Sequence, residues 1–409
     1  MMFPVGRYPF APTLVALLIV SGNATPSIAG TLELGGSIAN EVRVFPGSRS
    51  FRGQDRSVVS PSLVLTPELT YRSEGGNDLV TFTPYVRLDA NDERRSHADV
   101  RELKWVHLAN SWDMTAGVGK VFWGVAESRH LVDIINQTDG VDNLDGDAKL
   151  GQPMINTNAI TDWGTFGLFV LPGFRERTFA DDEARLRGPK PVQAADATYD
   201  SRATNKHVDI AVRWSRSIGN ADIGISQFHG TGREPVMRTV TRADGISAFQ
   251  PHYDIIDQTG LDAQYTSGSW LWKLEAMGRA GQGKRFAASV SGLEYTFYQV
   301  ADSTADVGVL AEYLYDGRDK TAPATPYDND LFVGTRLTLN DEQDTSILLG
   351  GIIDTQTRES FLSVKADRRL TDHWKMKFEA RWTANVPSDG FYNGVRNDEY
   401  LMLRLARFF

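Results

Sequence analysis

The residues best suited to chemistry are charged, and many of them lie in one acidic stretch, residues 125–152. Its only lysine and arginine residues are Arg129 and Lys149. Carboxylates without a nearby nucleophile motif suit electrostatic work on water and polar solutes rather than covalent catalysis. The acidic residues of the stretch are Glu127, Asp133, Asp139, Asp142, Asp145 and Asp147.

Basic residues, opposite in charge to this acidic stretch, occur at alternating positions in other segments of the chain. Alternate side chains of a strand share one face, so we expect these to line a wet interior. An acidic loop facing a basic wall would set up a transverse field, which orders water and favours small polar solutes. In the alternative, the loop is external and the wall charges pair with one another. The expected wall residues are Arg87, Lys120, Arg213, Lys273, Glu275, Arg279, Arg336, Lys377 and Arg381, with Lys375, Glu312 and Glu379 among them.

The run 139–147 (DGVDNLDGD) has the composition of a calcium loop. With Gly146 at the sharp turn of the helix–loop–helix template, the first ligand position falls on Val141. The twelfth falls on Gln152, where glutamate is needed. The template therefore fails, and a looser Ca²⁺ site of carboxylates and carbonyls stays an alternative. We expect no other cofactor and no other metal site.

The composition excludes several other kinds of site. The chain has no cysteine, which rules out disulfides, thiolate metal sites and cysteine nucleophiles. Its formal net charge of -9 argues against nucleic-acid binding. Seven histidines are available, but neither His229 nor His252, at expected strand ends, accompanies a recognisable nucleophile motif. We therefore expect that the protein is not an enzyme.

The elements that carry the charged residues are predicted to be long antiparallel strands. Apolar and polar residues alternate from residue 31 onward, as in residues 374–382 (WKMKFEARW). The alternating segments run for about ten to thirteen residues, which suits a tilted membrane crossing. Short turns alternate with long loops, as in outer-membrane barrels. Trp270 and Trp272 fall on the apolar face, which favours a girdle at the membrane interface over a sugar-stacking track.

Eighteen segments follow this pattern, and an even count keeps both termini on the periplasmic side. The two between 153 and 171 are the least regular, and without them the count is sixteen. A barrel of either size leaves an aqueous channel, whereas eight strands fill their interior with side chains. The segments are 32–44, 62–72, 79–89, 99–109, 112–123, 153–160, 164–171, 206–217, 221–230, 255–266, 269–280, 286–298, 304–316, 330–340, 344–354, 360–370, 373–383 and 397–409.

The two ends of the chain indicate export and membrane assembly. Residues 1–29 have a basic Arg7, an apolar stretch at 11–20 and small residues before a cleavage position after Ala29, as in a secretory signal peptide. No later apolar run is long enough for a membrane-spanning helix. The last strand alternates toward the terminal Phe409, which resembles the signal that bacterial outer-membrane proteins present for assembly. Arg407 departs from that pattern, which expects an apolar or aromatic residue there.

Residues 117–124 (GVGKVFWG), followed by Glu127 and Ser128, resemble the glycine-bearing strand and loop of large bacterial porin-like barrels. The whole mature chain is similar to sixteen- to eighteen-stranded porins, the alginate-export-like group among them. The resemblance implies an all-β transmembrane barrel, residues 30–409, with the long loop 125–152 either inward or external. It also implies an outer-membrane channel for passive diffusion of small hydrophilic solutes.

A rival expectation is a non-conducting barrel that serves polymer export or adhesion with partners. The expected partners are outer-membrane lipids and lipopolysaccharide, the assembly machinery through the C-terminal strand, small polar solutes and further copies of the chain in a homo-oligomer. No nucleic acid is expected among them.

Overall fold

The computed structural model describes residues 30–143 and 146–409, which form a closed antiparallel barrel of eighteen strands and a separate three-stranded sheet. The predicted signal peptide, residues 1–29, and the predicted loop residue Asp145 lie outside the described residues. The strands are β1 (Gly30–Val44), β2 (Val59–Ser73), β3 (Asp78–Asp89), β4 (His97–Leu108), β5 (Trp112–Gly119), β6 (Gln152–Thr161), β7 (Gly164–Pro172), β8 (Thr198–Tyr199), β9 (Val208–Ile218), β10 (Ala221–Thr231), β11 (Val236–Thr241), β12 (Ser247–Tyr253), β13 (Ile255–Ser267), β14 (Trp270–Gly281), β15 (Gly283–Phe297), β16 (Asp306–Asp316), β17 (Asn329–Thr338), β18 (Ser346–Asp354), β19 (Ser360–Thr371), β20 (Trp374–Ala384) and β21 (Tyr400–Phe408).

Barrel strands pair in chain order, skipping β8, β11 and β12, and β1 closes the ring against β21. At the closure Ser37 lies opposite Phe408 and Val44 lies opposite Leu401. All eighteen predicted segments are barrel strands, β6 and β7 included, so the predicted fold and the count of eighteen are confirmed.

The two ends of the barrel differ in their connections. At one end, here named the short-turn end, tight turns such as 219–220 join the strands, and both the first strand residue, Gly30, and the last, Phe408, lie there. The other end, the long-loop end, carries the extended segments 120–151, 173–207 and 232–254. The predicted alternation of short and long connections is therefore confirmed.

Period-two alternation sets the two faces of the wall. Along β14, Trp270 and Trp272 are 41% and 48% exposed on the outside, whereas Glu275 on the inside has no exposed surface. Leu401 and Leu403 of β21 are likewise exposed outside. An apolar outer face around a charged interior is the reverse of a soluble barrel and is the arrangement that lipid requires.

The prediction for Lys120 as a wall residue on a strand is wrong. β5 ends at Gly119, and the chain leaves the wall there. Asn136, from further along the same segment, donates hydrogen bonds to the carbonyls of Gly119 and Leu150 at 2.9 and 2.8 Å. Its Oδ1 accepts a hydrogen bond from the Val121 amide at 2.8 Å. These bonds satisfy the chain where it turns inward, so the predicted strand 112–123 stops early.

Three short strands lie within segments predicted as loops. β11 and β12 form a hairpin in the segment 232–254, and β12 pairs in parallel with β8. The helical elements among the described residues are 3-10 turns of three or four residues. No described helix has the length and apolarity needed to span a membrane.

The apolar core lies between the inner wall and the segment 120–151, here named the inward loop. One cluster packs Ala126 and Leu131 of the loop against Met277 and Leu310 of the wall. A second packs loop residues that include Val132 against the inner face of β6, β7 and β9. Burial of these side chains from water holds the loop inside the barrel.

Candidate pore constriction

A buried wall glutamate holds the start of the inward loop. The Glu275 Oε1 atom accepts the amides of Val125 and Ala126 at 2.8 and 3.0 Å. Its Oε2 atom accepts the amides of Leu131 and Val132 at 2.6 and 3.3 Å. One carboxylate therefore satisfies four backbone donors that the barrel interior would otherwise leave unpaired, which is a costly state.

The local sequence is suited to this contact. Gly124 has φ +135°, and a Cβ there would lie 2.7 Å from Glu275 Oε1, so only glycine allows the chain so close. His130 Nδ1 lies 3.8 Å from the same oxygen. Burial alone would lower the pKa of His130, but the charge of Glu275 outweighs it and raises the pKa above its ordinary value.

A second wall glutamate, Glu312 of β16, repeats the arrangement next along the loop. Its carboxylate accepts the amides of Glu127 and Ser128, both at 2.8 Å, and the Ser128 hydroxyl at 2.5 Å. Arg129 then pairs with Asp316 at 3.0 Å. The wall therefore supplies acidic groups to loop donors, which adds a polar anchor to the apolar packing.

The far part of the loop contacts another side of the barrel. The Arg43 guanidinium donates to the Asp142 carbonyl at 2.8 Å, and Arg87 forms an ion pair with the Asp142 carboxylate. Arg87 also pairs with Glu41 at 3.0 Å. These partners lie on β1 and β3, whereas the first anchors lie on β14 and β16, the eleventh and thirteenth strands of the ring. The loop therefore crosses the lumen.

Each described acidic residue predicted in the loop forms an ion pair. The cations come from the wall in every case except Asp133, which pairs within the loop. The acidic groups of the loop and the basic groups of the wall are therefore in direct contact and are not separated by a layer of water. Besides Asp142 with Arg87, the pairs are Glu127 with Arg336 at 2.6 Å, Asp133 with Lys149 at 3.1 Å, Asp139 with Arg101 at 2.5 Å and Asp147 with Lys365 at 2.9 Å.

The predicted wall residues other than Lys120 lie on barrel strands, at positions that alternate with the outer face. Most of them are paired within the wall or with a loop. Glu275 and Glu312 are the loop anchors, and Arg87 and Arg336 pair with loop acids. The remaining pairs are Arg213 with Asp262 at 2.7 Å, Lys273 with Glu294 at 3.6 Å, Arg279 with Glu234 at 2.6 Å, Lys375 and Lys377 with Asp367 at 3.0 and 3.5 Å, and Arg381 with Glu379 at 2.6 Å.

The carboxylates of the run 139–147 are engaged separately. Asp139 accepts from Arg101 and Thr178, and Asp142 from Arg87. Among the described residues, three-membered groups of metal-ligating atoms within 4.8 Å of one another lie elsewhere, at Asp200 with His252 and Asp254 and at Asp328 with Asp330 and Asp354.

Sequence reasoning missed a second inward segment, residues 173–207. Arg175 pairs with Asp99 at 2.8 Å, Arg185 pairs with Asp398 at 2.8 Å, and Thr178 donates to Asp139 of the inward loop at 2.6 Å. The available signal was the density of arginine in residues 175–187, which exceeds what an external polar loop needs.

The hairpin segment 232–254 adds a further missed residue, Glu234. It pairs with Arg279 at 2.6 Å, Arg318 at 3.2 Å and Arg129 at 3.8 Å. Burial raises the pKa of Glu234, but these three guanidinium groups outweigh it and hold the pKa well below its usual range. Glu234 thus remains a carboxylate that ties the hairpin, the inward loop and the wall together.

The two ends of the lumen are filled to different degrees. Near the long-loop end, a cavity bounded by Arg43, Arg95 and Arg185 measures only ≈ 30 Å³. Near the short-turn end, an open cavity of ≈ 530 Å³ is lined by Arg213 and Asp262, among other polar residues. Packed loops therefore occupy one end of the lumen and leave space at the other.

Comparison with known proteins gives similarity at the level of solved structures. No protein-family model and no curated protein matches the chain. A porin of Rhodopseudomonas blastica carrying three substitutions is 11% identical, with a TM-score of 0.44. OmpT, an outer membrane protein of Vibrio cholerae in its trimer form, is 11% identical with the same TM-score of 0.44. Both alignments cover 93% of this chain and 100% of the other.

Proposed function

We propose that the protein is an outer-membrane channel for passive diffusion of small hydrophilic solutes. The observation that carries the proposal is the inward loop, anchored at Glu275 and Glu312 on one side and at Arg87 on another, inside a closed ring of eighteen strands. A ring of this size encloses more space than side chains fill. In the proposed channel, the loop fixed across it narrows the passage to a size that admits small solutes.

The outer face supports the membrane location. Exposed apolar side chains surround the barrel, and aromatic residues such as Trp112, Tyr265 and Trp270 lie close to the short-turn end. We extend the proposal to the partners: lipid and lipopolysaccharide against this face, assembly machinery at β21, and further copies of the chain. Both described strand termini would then lie in the periplasm.

Single-channel recording tests the channel. Purified barrel inserted into a planar bilayer is expected to give stepwise current increments in potassium chloride. Bilayers without protein and bilayers with heat-denatured protein are the controls. The absence of steps from a protein that is folded, as judged by heat-modifiable migration on gels, would overturn the proposal.

A second candidate is a non-conducting barrel that acts in polymer export or adhesion with partners. The observation that favours it is the filling of the long-loop end, where the inward loop, the segment 173–207 and the hairpin 232–254 contact one another. Deletion of residues 236–253 separates the two candidates. Steps present only in the deletion variant would favour the plugged barrel, whereas steps in both proteins favour the channel. No catalytic function is proposed.

A further inference from the structure

Five cations line one part of the inner wall near the short-turn end, and we name this surface the basic face. Strand register brings its members together: Lys377 on β20 lies opposite Asp367 on β19 and opposite Arg404 on β21. Since paired positions are neighbours on one face, these charges form a contiguous surface. The basic face consists of Lys365, Arg369, Lys375, Lys377 and Arg404.

The basic face has too few wall carboxylates to neutralise it. Between Glu379 and the short-turn end, Asp367 is the only acidic inward-facing residue on the described strands β19, β20 and β21. Lys375 and Lys377 both approach the same atom, Asp367 Oδ1, at 3.0 and 3.5 Å. One carboxylate balances one ammonium group, so this pair keeps an excess positive charge.

Acidic residues at the border of the basic face pair with its outer members. Asp147 of the inward loop pairs with Lys365, Asp344 of a turn pairs with Arg369, and Glu41 lies 3.8 Å from Arg404. The excess charge therefore centres on Lys375 and Lys377. Their side chains are 40% and 52% exposed to the lumen, whereas the Arg87 side chain near the long-loop end is 1% exposed.

The wall across the lumen has the opposite balance. β9 and β20 are the eighth and seventeenth strands of the ring, half a circumference apart. Near β9, Arg213 is matched by a two-bond contact with Asp262 at 2.7 and 2.8 Å. Asp222, beside them, is held by the uncharged partners Ser217 and Gln264. The field across the short-turn half therefore points from the basic face toward β9 and draws anions to the basic face.

We infer that the basic face is a binding track for small oxyanions that carry more than one negative charge, and that it makes the channel prefer anions. The inference rests on the proposed channel function. Ammonium groups act as point charges with several donors each, so an oxyanion of any shape can take the place of the missing carboxylate beside Lys375 and Lys377. Water in the lumen weakens each contact, which allows the anion to leave again.

Ion selectivity tests the inference. The wild-type channel in a tenfold potassium chloride gradient is expected to show a reversal potential of the sign that chloride preference gives. Substituting Lys375→Gln and Lys377→Gln together removes two unit charges. The change should lower the chloride-to-potassium permeability ratio by at least about fivefold, which is the effect of a single unit charge at contact distance in water. The matched control, Lys284→Gln with Lys320→Gln, removes the same charges from exposed sites near the long-loop end and should leave the ratio unchanged.

Occupancy by an oxyanion is tested with two probes. Millimolar inorganic phosphate and millimolar succinate are each expected to reduce the chloride current of the wild type but not of the double lysine variant. Block by phosphate alone would narrow the ligand to compact tetrahedral anions, and block by succinate alone to dicarboxylates. Asp367→Asn should strengthen the block, because it removes the internal competitor for the two lysines.

Failure of this inference can be told apart from failure of the channel. Stepwise currents with potassium preference, or with no response to either probe, would overturn the oxyanion track and leave the channel in place. Calorimetric titration of phosphate and succinate into the detergent-solubilised barrel provides a readout without current. Suppose that the wild-type barrel binds the anions, that the double variant does not, and that no bilayer shows current steps. This result would support the oxyanion track and overturn the channel.

Discussion

The two halves of the lumen use the same kind of residue, an inward-facing cation on a strand, for different purposes. Near the long-loop end, Arg87 and Arg101 are almost fully covered, and each contacts more than one carboxylate. Near the short-turn end, Lys375 and Lys377 are exposed to the lumen and share one carboxylate. What differs is the cover: loops 120–151 and 173–207 lie over the first group only.

The burial of each cation beneath the loops decides its role, because removing a charge from water has a high cost in free energy. A charge removed from water must be paired and hydrogen-bonded, and a missing partner then costs several kcal/mol. A charge that keeps its water needs no partner and gains little from one. The long-loop half therefore acts as a clamp that fixes the inward loop, and in the proposed channel the short-turn half would supply the field that a passing solute meets.

Glu275→Ala is expected to have the largest effect, because it opens the clamped half. Each of four loop amides would lose its acceptor, at ~1–3 kcal/mol for each buried donor left unpaired. We expect the start of the inward loop to leave the wall, with single-channel conductance rising several-fold and becoming noisier. Recording in potassium chloride measures this change.

Glu294→Ala is the matched control for Glu275→Ala. Glu294 also lies on the inner wall, but its ion-pair partners among the described residues are wall side chains, Lys273 at 3.6 Å and Arg336 at 3.5 Å. Its removal should leave the loop in place and the conductance near the wild-type value. Equal conductance changes in the two variants would contradict the anchoring role of Glu275.

Asp139→Asn is the next largest change, and it affects stability rather than conductance. The Asp139 side chain is fully buried and pairs with Arg101 at 2.5 Å. Without Asp139, Arg101 keeps only Asp99, which it shares with Arg175, so two guanidinium groups are left with one carboxylate. The cost should approach the ~3–5 kcal/mol of a broken buried pair. We expect a loss of that order in the free energy of unfolding, measured by urea titration in lipid vesicles with tryptophan fluorescence. A loss of less than about 1 kcal/mol, the range of surface pairs, would mean that the clamp is solvated.

The barrel itself could be predicted from the sequence to a large degree. Alternation needs only the identity of neighbouring residues, and it placed every barrel strand, including β6 and β7, where the pattern is weakest. Side-chain faces follow from the same period, so Trp270 and Trp272 were correctly expected on the outside. The ends of strands could not be predicted as well, because a loop side chain can take the hydrogen bond that a neighbouring strand would otherwise form. Asn136 does so when it donates to the Gly119 carbonyl at the end of β5.

Pairing inside the lumen could not be predicted in the same way. Arg87 and Asp142 are 55 positions apart, and their contact depends on the path of a loop that no local period describes. The basic face was partly predictable, since Lys375 and Lys377 alternate along one strand. Its excess charge depends on the register that sets the single carboxylate of Asp367 beside both lysines, a fact of the folded ring.

A smaller effect is expected from pH, through His130. Its pKa is raised in the folded protein, so the contact with Glu275 is fully present below about pH 6.5, the unfolded value, and is lost as pH rises through the higher folded pKa. Asp133 and Asp147 act on His130 in the same direction. We expect open-channel noise to increase as pH rises through the folded pKa and the loop loosens.

His130→Gln checks this assignment. The neutral amide keeps a polar group beside Glu275 but does not titrate, so the variant should show high noise at every pH. A wild-type noise level that falls as pH rises, or a variant that keeps the wild-type pH profile, would assign the titration to another group.

The smallest effect is expected from Asp344→Asn, and it isolates what burial contributes. Asp344 pairs with Arg369 at 2.5 Å, the distance between Asp139 and Arg101, so the two ion pairs match in contact distance. They differ in cover: the Arg369 and Asp344 side chains are 53% and 69% exposed, the other two 7% and 0%. The unfolding free energy should fall by only ~0–1 kcal/mol, since water replaces the lost partner.

The same substitution should also raise the anion preference of the channel slightly, because Arg369 then adds its charge to the basic face. If Asp344→Asn destabilised the barrel as much as Asp139→Asn, contact distance rather than cover would set the role of the cations, and the distinction between the two halves would fail.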